Sequence, residues 1–286
     1  MGGTLIKLKE LKESFTKNEN KISNYLEDNI EEIKILNTYE LATRCGVSQA
    51  SVVRFSKKLG FKGFPEFRIA LAADVATVIK SEEVNIIYDG INFDDSVDML
   101  SKKIVYENVK TIEDTYKILD FGDLEKAVEI IDSADRIFLL GAGFSGIVAK
   151  DFQYKLWELG KSVICDTDQH IQLANASTVS EKDVVFVISH SGKTLDIYQT
   201  LLKFKKNKAT VITLTKCASN PIKSIGDICL NTVVEKTNFR STSLSSRMAQ
   251  LTVIDILYVK LIQNNRVRAD KFIGTALKNV ESIKMD

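Results

Sequence analysis

From Asp123 onward, helical stretches alternate with five short runs that are apolar almost throughout and rich in β-branched residues: residues 136–140, 162–164, 183–188, 209–214 and 227–232. A strand with one wet face alternates apolar and polar side chains, and these runs do not, so both of their faces must be covered. Helical connections between successive strands exclude hairpins and require parallel pairing, with helices above and below. The expected fold of this half is therefore a doubly wound α/β domain around a parallel sheet. A helix over residues 244–263, with Leu251, Ile254, Leu257 and Tyr258 on one stripe, would cover that sheet or a partner subunit.

The N-terminal residues follow another rule. Leu5, Leu8, Leu11 and Phe15, then Ile22, Tyr25, Leu26, Ile30 and Ile33, recur at three- and four-residue spacing with no strand-like run between them. That spacing predicts an all-α domain over residues 1–80. Residues 81–95 are acidic and turn-rich and read as a linker. A long helix over 96–119 then opens a second domain, residues 96–286, which agrees with the two domains expected of 286 residues.

With 44% hydrophobic and 27% charged residues, and no apolar run approaching the roughly 20 residues of a membrane helix, a cytoplasmic protein is expected. The four cysteines are widely separated and only two histidines accompany them, so buried thiols are expected and no metal site. The net charge is only +1, yet it is unevenly spread. Between Leu41 and Pro65 there is no acidic residue, while Arg44, Arg54, Lys57, Lys58 and Lys62 all fall there.

That basic window has the pattern of a helix-turn-helix. Thr38 is a plausible cap for a short helix opened by Glu40 and Leu41, Gly46 suits the tight turn, and Ser48 can cap a second helix. Val52, Val53 and Leu59 would face the core. Gln49, Ser51 and Arg54 carry the chemistry that reads base edges in a major groove. Arg44, Lys57, Lys58 and Lys62, with Ser48 at the helix start, suit DNA phosphates. The plainer alternative is a helical hairpin with a solvated charged face. Residues 61–67, with three phenylalanines, are expected to anchor the next helix in the core.

Two loops in the second half follow predicted strands and open predicted helices. In Gly141-Ala-Gly-Phe-Ser-Gly146, Gly141 and Gly143 let backbone N–H groups approach a phosphate, beside Ser145. This loop also matches a dinucleotide fingerprint, and Asp166 lies where a ribose-binding acid would, so an NAD-binding enzyme is a rival reading. The second loop, Ser189-His190-Ser191-Gly192-Lys193-Thr194, adds three hydroxyls and suits one phosphate and its sugar better than a dinucleotide. It is not a nucleoside-triphosphate loop, because Val187 stands where that motif requires its first glycine.

At these residues the chain resembles the RpiR family of bacterial regulators, which join a helix-turn-helix domain to a sugar isomerase (SIS) domain. The resemblance runs from Leu5 to about Gln263 and rests on residues 47–67, the two loops, and residues 239–251. It implies an all-α DNA-binding domain ahead of a SIS-type domain that binds a phosphosugar through Ser145, Ser189, Ser191 and Thr194, with backbone help around His190 and Gly192. His170, Glu235 and Ser241 are further candidates for sugar hydroxyls, with a structural role equally open for His170. Lys193 stands where related isomerases often carry an acid, and its ammonium would attract an anion. The implied partners are a double-stranded DNA operator, a phosphorylated sugar, possible members including amino-sugar phosphates, and further copies of the chain in a homodimer or homotetramer. Neither catalysis nor a cofactor is implied. The alternative, a sugar-phosphate isomerase, needs a general base with a pKa near about 7, for which Glu235 is the acid on offer.

Overall fold

The computed structural model describes residues 3–80, 91–166, 168–233 and 242–282. They group into two compact units divided after Ile118, with residues 217–219 counted in the first. The first unit is helical: α1 (Gly3–Leu11), α2 (Lys17–Asp28), α3 (Thr38–Cys45), α4 (Gln49–Lys58), α5 (Phe64–Lys80) and α6 (Val97–Ile118). It therefore continues through α6, past the stretch read as a linker, of which residues 81–90 lie outside the described residues.

Reciprocal capping sets where these helices begin. Thr16 and Glu19 cap α2 in this way, and Asn37 and Glu40 cap α3. Asn37 Oδ1 accepts from the Glu40 amide at 2.9 Å and Glu40 Oε2 accepts from the Asn37 amide at 2.8 Å. The cap of α3 is thus Asn37, and Thr38, expected in that role, is the first helical residue. Both types cap well, but only Asn37 has a glutamate three positions on to complete the box.

The helices bury one apolar cluster that includes Ile22, Leu26, Leu41, Val52, Phe55, Leu59, Phe64 and Phe67. Phe55 sits at its centre, with ring centroids 5.2 Å from Phe15 and 5.9 Å from Phe67. The phenylalanines of residues 61–67 thus serve as core anchors, as their spacing suggested. Val53, expected in the core beside Val52, is half-buried, and Phe55 takes that place.

In the second unit, α7 (Phe121–Ser133) leads into β1 (Ile137–Leu140), α8 (Gly143–Glu158), β2 (Val163–Cys165), α9 (Gln169–Asn175), β3 (Val184–Ser189), α10 (Leu195–Lys206), β4 (Thr210–Lys216), β5 (Ile228–Thr232), α11 (Thr242–Asn264) and α12 (Arg266–Glu281). All pairings are parallel and the strand order is β2-β1-β3-β4-β5. Successive side chains of a strand point to opposite faces, and both faces are packed. Ile137, Leu139, Val184, Phe186 and Ile188 join α7, α8, α11 and α12 in one cluster, while Phe138, Leu140, Val185, Val187 and Val211 join α10 in another. This is the doubly wound arrangement that the apolar runs required.

The N-terminal edge of the sheet is pinned by an ion pair whose carboxylate is buried. Asp183, 1% exposed, accepts from Arg136 Nε at 2.9 Å and Nη2 at 2.6 Å, and from the Ser180 amide at 2.7 Å. Burial alone would raise the Asp183 pKa, but the Arg136 and Ser180 hydrogen bonds outweigh it and hold the carboxyl below its ordinary range.

Candidate functional site

In an open parallel sheet, ligands bind beyond the C-terminal ends of the strands where the strand order reverses, because adjacent loops there leave toward opposite faces. Here the reversal lies between β1 and β3, and the two loops singled out in the sequence are the ones that leave those strands. Leu140, the last residue of β1, pairs with Val187, two residues before β3 ends, so the two loops leave adjacent strands within two residues of each other.

A cavity of about 260 Å³ opens between them, lined by Ala142, Phe144, Ser145, Ile188, Ser189, His190, Ser191, Thr194 and Ser246. Both loops run into helices whose caps contribute no side-chain hydrogen bond: Ala142 for α8 and Thr194 for α10. The first-turn amides of an uncapped helix carry partial positive charge and seek an acceptor, and here two such termini border one cavity. The hydroxyls of Ser145, Ser189, Ser191 and Thr194 lie among them.

Local hydrogen bonds shape the second loop. Ser189 Oγ accepts from the Gly192 amide and Ser191 Oγ from the Lys193 amide, each at 3.2 Å. Gly192 has φ +64°, and a Cβ there would lie 1.8 Å from Asn220 Oδ1. Asn220 in turn donates to Thr215 Oγ1 at 3.1 Å and accepts from the Lys223 amide at 2.9 Å. Only glycine supplies both that backbone conformation and that space. Gly143 also has a positive φ, +55°, but a Cβ there would meet nothing within 4 Å.

His190 lines the cavity with its Nδ1 buried and without a hydrogen-bond partner. Burial and then the Lys216 ammonium hold its pKa below 6.5, so the imidazole is neutral near neutral pH and can donate or accept one hydrogen bond. Of the other sequence candidates, Gly141 and Gly192 shape the loops. A Cβ on Gly141 would meet the Ser145 carbonyl oxygen at 2.8 Å. His170 and Lys193 are exposed and do not line the cavity. Glu235 and Ser241 lie outside the described residues. Asp166, the rival ribose ligand, spends Oδ1 on the Asp168 amide at 2.8 Å.

Sequence reading missed the wall built by α11. Ser246 lines the cavity, and Gln250, 1% exposed, donates to Ser145 Oγ at 3.3 Å. The Arg247 guanidinium stands 5.7 Å from the centroid of Phe144. The signal was available: the apolar stripe through Ile254 and Leu257, extended back in steps of four, reaches Gln250 and Ser246, polar residues on a buried face.

In the first unit, α3 and α4 meet through Gly46, whose φ of +61° ends α3 in the left-handed conformation. Ser48 caps α4 as expected, its Oγ accepting from the Ser51 amide at 3.2 Å. Gln49, Arg54, Lys57 and Lys62 are exposed. Arg44 pairs with Glu32 and donates to Tyr25 Oη at 2.7 Å, and Lys58 pairs with Glu19 at 2.8 Å and donates to the Ser14 carbonyl at 2.7 Å. The acid-free window is therefore partly neutralised by carboxylates folded in from outside it. Ser51 is 7% exposed and bonded to both Ser48 and Arg54, which takes it off the surface where base contact was expected.

Comparison with known proteins agrees with both halves. Residues 2–78 match the helix-turn-helix domain, rpiR family, and residues 130–260 match the SIS domain. The NanR protein of Vibrio vulnificus, in a structure complexed with ManNAc-6P, is 24% identical with a TM-score of 0.62, the match covering 99% of this chain and 100% of that one. The sugar isomerase domain of an RpiR transcription factor from Sphaerobacter thermophilus is 22% identical with a TM-score of 0.56, covering 64% of this chain and 99% of that one. A phosphoheptose isomerase from Francisella tularensis is 17% identical with a TM-score of 0.51, covering 59% and 99%.

A helix-turn-helix head on a phosphosugar-binding domain is the plan of a DNA-binding transcription regulator. The chain belongs to the RpiR family of such regulators. Among the described residues, no helix is long and apolar enough to cross a membrane, and no cluster of three or more His, Cys, Asp or Glu residues could hold a metal ion.

Proposed function

We propose that this protein regulates transcription of sugar-metabolism genes from the cytoplasm and that a phosphorylated sugar bound between the β1 and β3 loops controls its grip on DNA. The observation that carries the reading is the convergence of two uncapped helix termini and five hydroxyls, those of Ser145, Ser189, Ser191, Thr194 and Ser246, on one cavity at the strand-order reversal. The phosphate sits against the amides of α8 and α10 and the hydroxyls of Ser145, Ser189, Ser191 and Thr194. His190 and Ser246 face the sugar. An N-acetylated amino-sugar phosphate is the first effector to try, because the NanR structure similar over the whole chain is complexed with ManNAc-6P.

At the other end, Gln49 and Arg54 read bases while Lys57, Lys62 and the N-terminus of α4 at Ser48 hold phosphates; Arg44 and Lys58 join them by exchanging their surface carboxylates for DNA. Two copies, in a homodimer or within a homotetramer, place two α4 helices in successive major grooves of a roughly two-fold operator, about 34 Å apart. The protein acts as a sensor and not as an enzyme. None of the described residues lining the cavity is a carboxylate, and the neutral His190 is the titratable group among them. A sugar-phosphate isomerase, the second reading, is favoured by the likeness to phosphoheptose isomerase and predicts turnover.

The test is thermal unfolding of the full chain with N-acetylhexosamine, hexose and pentose phosphates, beside Ser191→Ala, together with an isomerisation assay. At ligand near 100 times its dissociation constant, stabilisation of about 2.7 kcal/mol is expected, and lost in the variant. Stabilisation by no sugar phosphate refutes the sensor; product formation from the stabilising sugar establishes the isomerase.

A further inference from the structure

On α4, three polar side chains spaced three residues apart form a chain of hydrogen bonds. Arg54 Nη2 donates to Ser51 Oγ at 3.2 Å, and Ser51 Oγ lies 2.9 Å from Ser48 Oγ. Ser48 Oγ also accepts from the Ser51 amide at 3.2 Å. The direction of the Arg54–Ser51 bond follows from counting protons. A hydroxyl has one proton and two lone pairs, and an arginine has only donors. Ser51 Oγ must therefore accept from Arg54, and it keeps one proton and one lone pair, through either of which it can bond Ser48 Oγ. Ser48 Oγ, at the exposed helix start, thus holds Ser51 through both its amide and its hydroxyl.

Two consequences follow. Ser51 is 7% exposed with its hydroxyl turned to Ser48 and Arg54, so burial keeps it from the surface that would meet a base. Arg54, by contrast, is exposed and anchored through one Nη2 proton. An arginine discriminates a guanine when its planar fork meets O6 and N7 together, and a long side chain free to rotate spends much of its time out of that plane. A single internal anchor fixes the plane while leaving four N–H groups for DNA.

We infer that Ser51 is a positioning residue, which holds the Arg54 guanidinium in the orientation that distinguishes one base pair of the operator. Ser48, at the N-terminus of α4, holds Ser51 in turn. The inference rests on the reading of α4 as the base-reading helix, and it assigns the specificity of one position to a residue that does not touch DNA.

The experiment uses the full-length chain and a pool of double-stranded DNA with a randomised core. Sequences enriched by the wild type define the half-site; affinities are then measured for the enriched duplex, its single-base-pair variants, and calf-thymus DNA as a non-specific probe. Arg54→Lys, which keeps the charge and loses the fork, identifies the base pair that Arg54 reads. Ser51→Ala is expected to lower discrimination at that same pair about tenfold while changing non-specific affinity less than about twofold. It should have no further effect in the Arg54→Lys background. Ser51→Thr, which keeps the hydroxyl, is expected to retain discrimination, and circular dichroism confirms the fold of each variant. The inference is overturned if Ser51→Ala weakens specific and non-specific binding alike, acts at a different base pair, or adds to Arg54→Lys. It is overturned too if Ser51→Thr behaves as alanine while folded. Should the wild type enrich no sequence at all, the base-reading role of α4 fails first and takes this inference with it.

Discussion

Replacing Gly192 with alanine tests the geometry of the loop after β3 against a control that the same structure supplies. Gly192 and Gly143 have nearly equal left-handed φ values, +64° and +55°, so alanine meets a similar backbone cost at each, about 1–2 kcal/mol. They differ in what the new methyl meets. At Gly143 it meets nothing within 4 Å, while at Gly192 it falls 1.8 Å from Asn220 Oδ1 and 2.1 Å from its Cγ. Asn220 must move, and its bonds to Thr215 Oγ1 and the Lys223 amide are lost. At about 1 kcal/mol net for each bond, with more for any buried group left unpaired, Gly192→Ala should cost about 3–5 kcal/mol in total. Urea unfolding of the full chain can resolve this, because Trp157, the sole tryptophan, lies on α8 and reports on the second unit alone. The expected gap between the two variants is about 2–3 kcal/mol, with the m-value unchanged. Equal destabilisation, to within about 1 kcal/mol, would refute the claim that Asn220 closes the space beside Gly192.

Three further outcomes are expected. Asp183→Ala strands Arg136 at the sheet edge and should destabilise the second unit by about 3 kcal/mol; in the wild type, the stability owed to this carboxylate is present above its unfolded pKa of 3.8 and lost as pH falls through the lower folded value, a step that Asp183→Asn should abolish in acid-unfolding curves. His190 is held neutral by burial, so its folded pKa lies below the unfolded 6.5. Stability should be unaffected by this group above that value and fall as pH drops from about 6.5 toward the folded pKa, and His190→Asn should flatten that part of the Trp157-monitored profile. Asn37→Ala removes half of the capping box of α3 and should cost the first unit about 1 kcal/mol, read by circular dichroism, whereas Thr38→Ala should cost little.

What the sequence could show depended on how far apart the interacting residues lie. The strands were legible to within a residue or two, because runs such as 183–188 are buried on both faces and hardly any other arrangement hides them; β3 occupies Val184–Ser189. The two loops were legible because glycine and serine at strand ends have local meaning, and Ser145, Ser189, His190, Ser191 and Thr194 do share one cavity. Long-range partners were not. The acids that pair with Arg44 and Lys58 lie 12 and 39 residues away, so no window centred on the basic motif could include them. Gln250 reaches Ser145 across 105 residues. Ser51 was misplaced for another reason. Helical periodicity assigns a polar residue to the solvent face by default, whereas its neighbours three positions to either side satisfied the hydroxyl and let it be buried.

The cavity lies at the C-terminal edge of the sheet, lined by the tip of β3 and otherwise by segments that begin where the strands end. The strands that hold the second unit together, with Phe186, Val187 and Ile188 fully enclosed, contribute to it only at their tips. Stability and selectivity are thereby written in separate stretches of sequence. Phe144 is exposed and His190 half-buried, so substitutions there disturb the packed interior less than substitutions in the strands. The amides of α8 and α10 belong to the backbone and persist through any such change. On the phosphosugar reading proposed above, a lineage carrying this fold can exchange one phosphorylated signal for another in single steps, with the phosphate as the constant of recognition and the rest of the sugar as its variable.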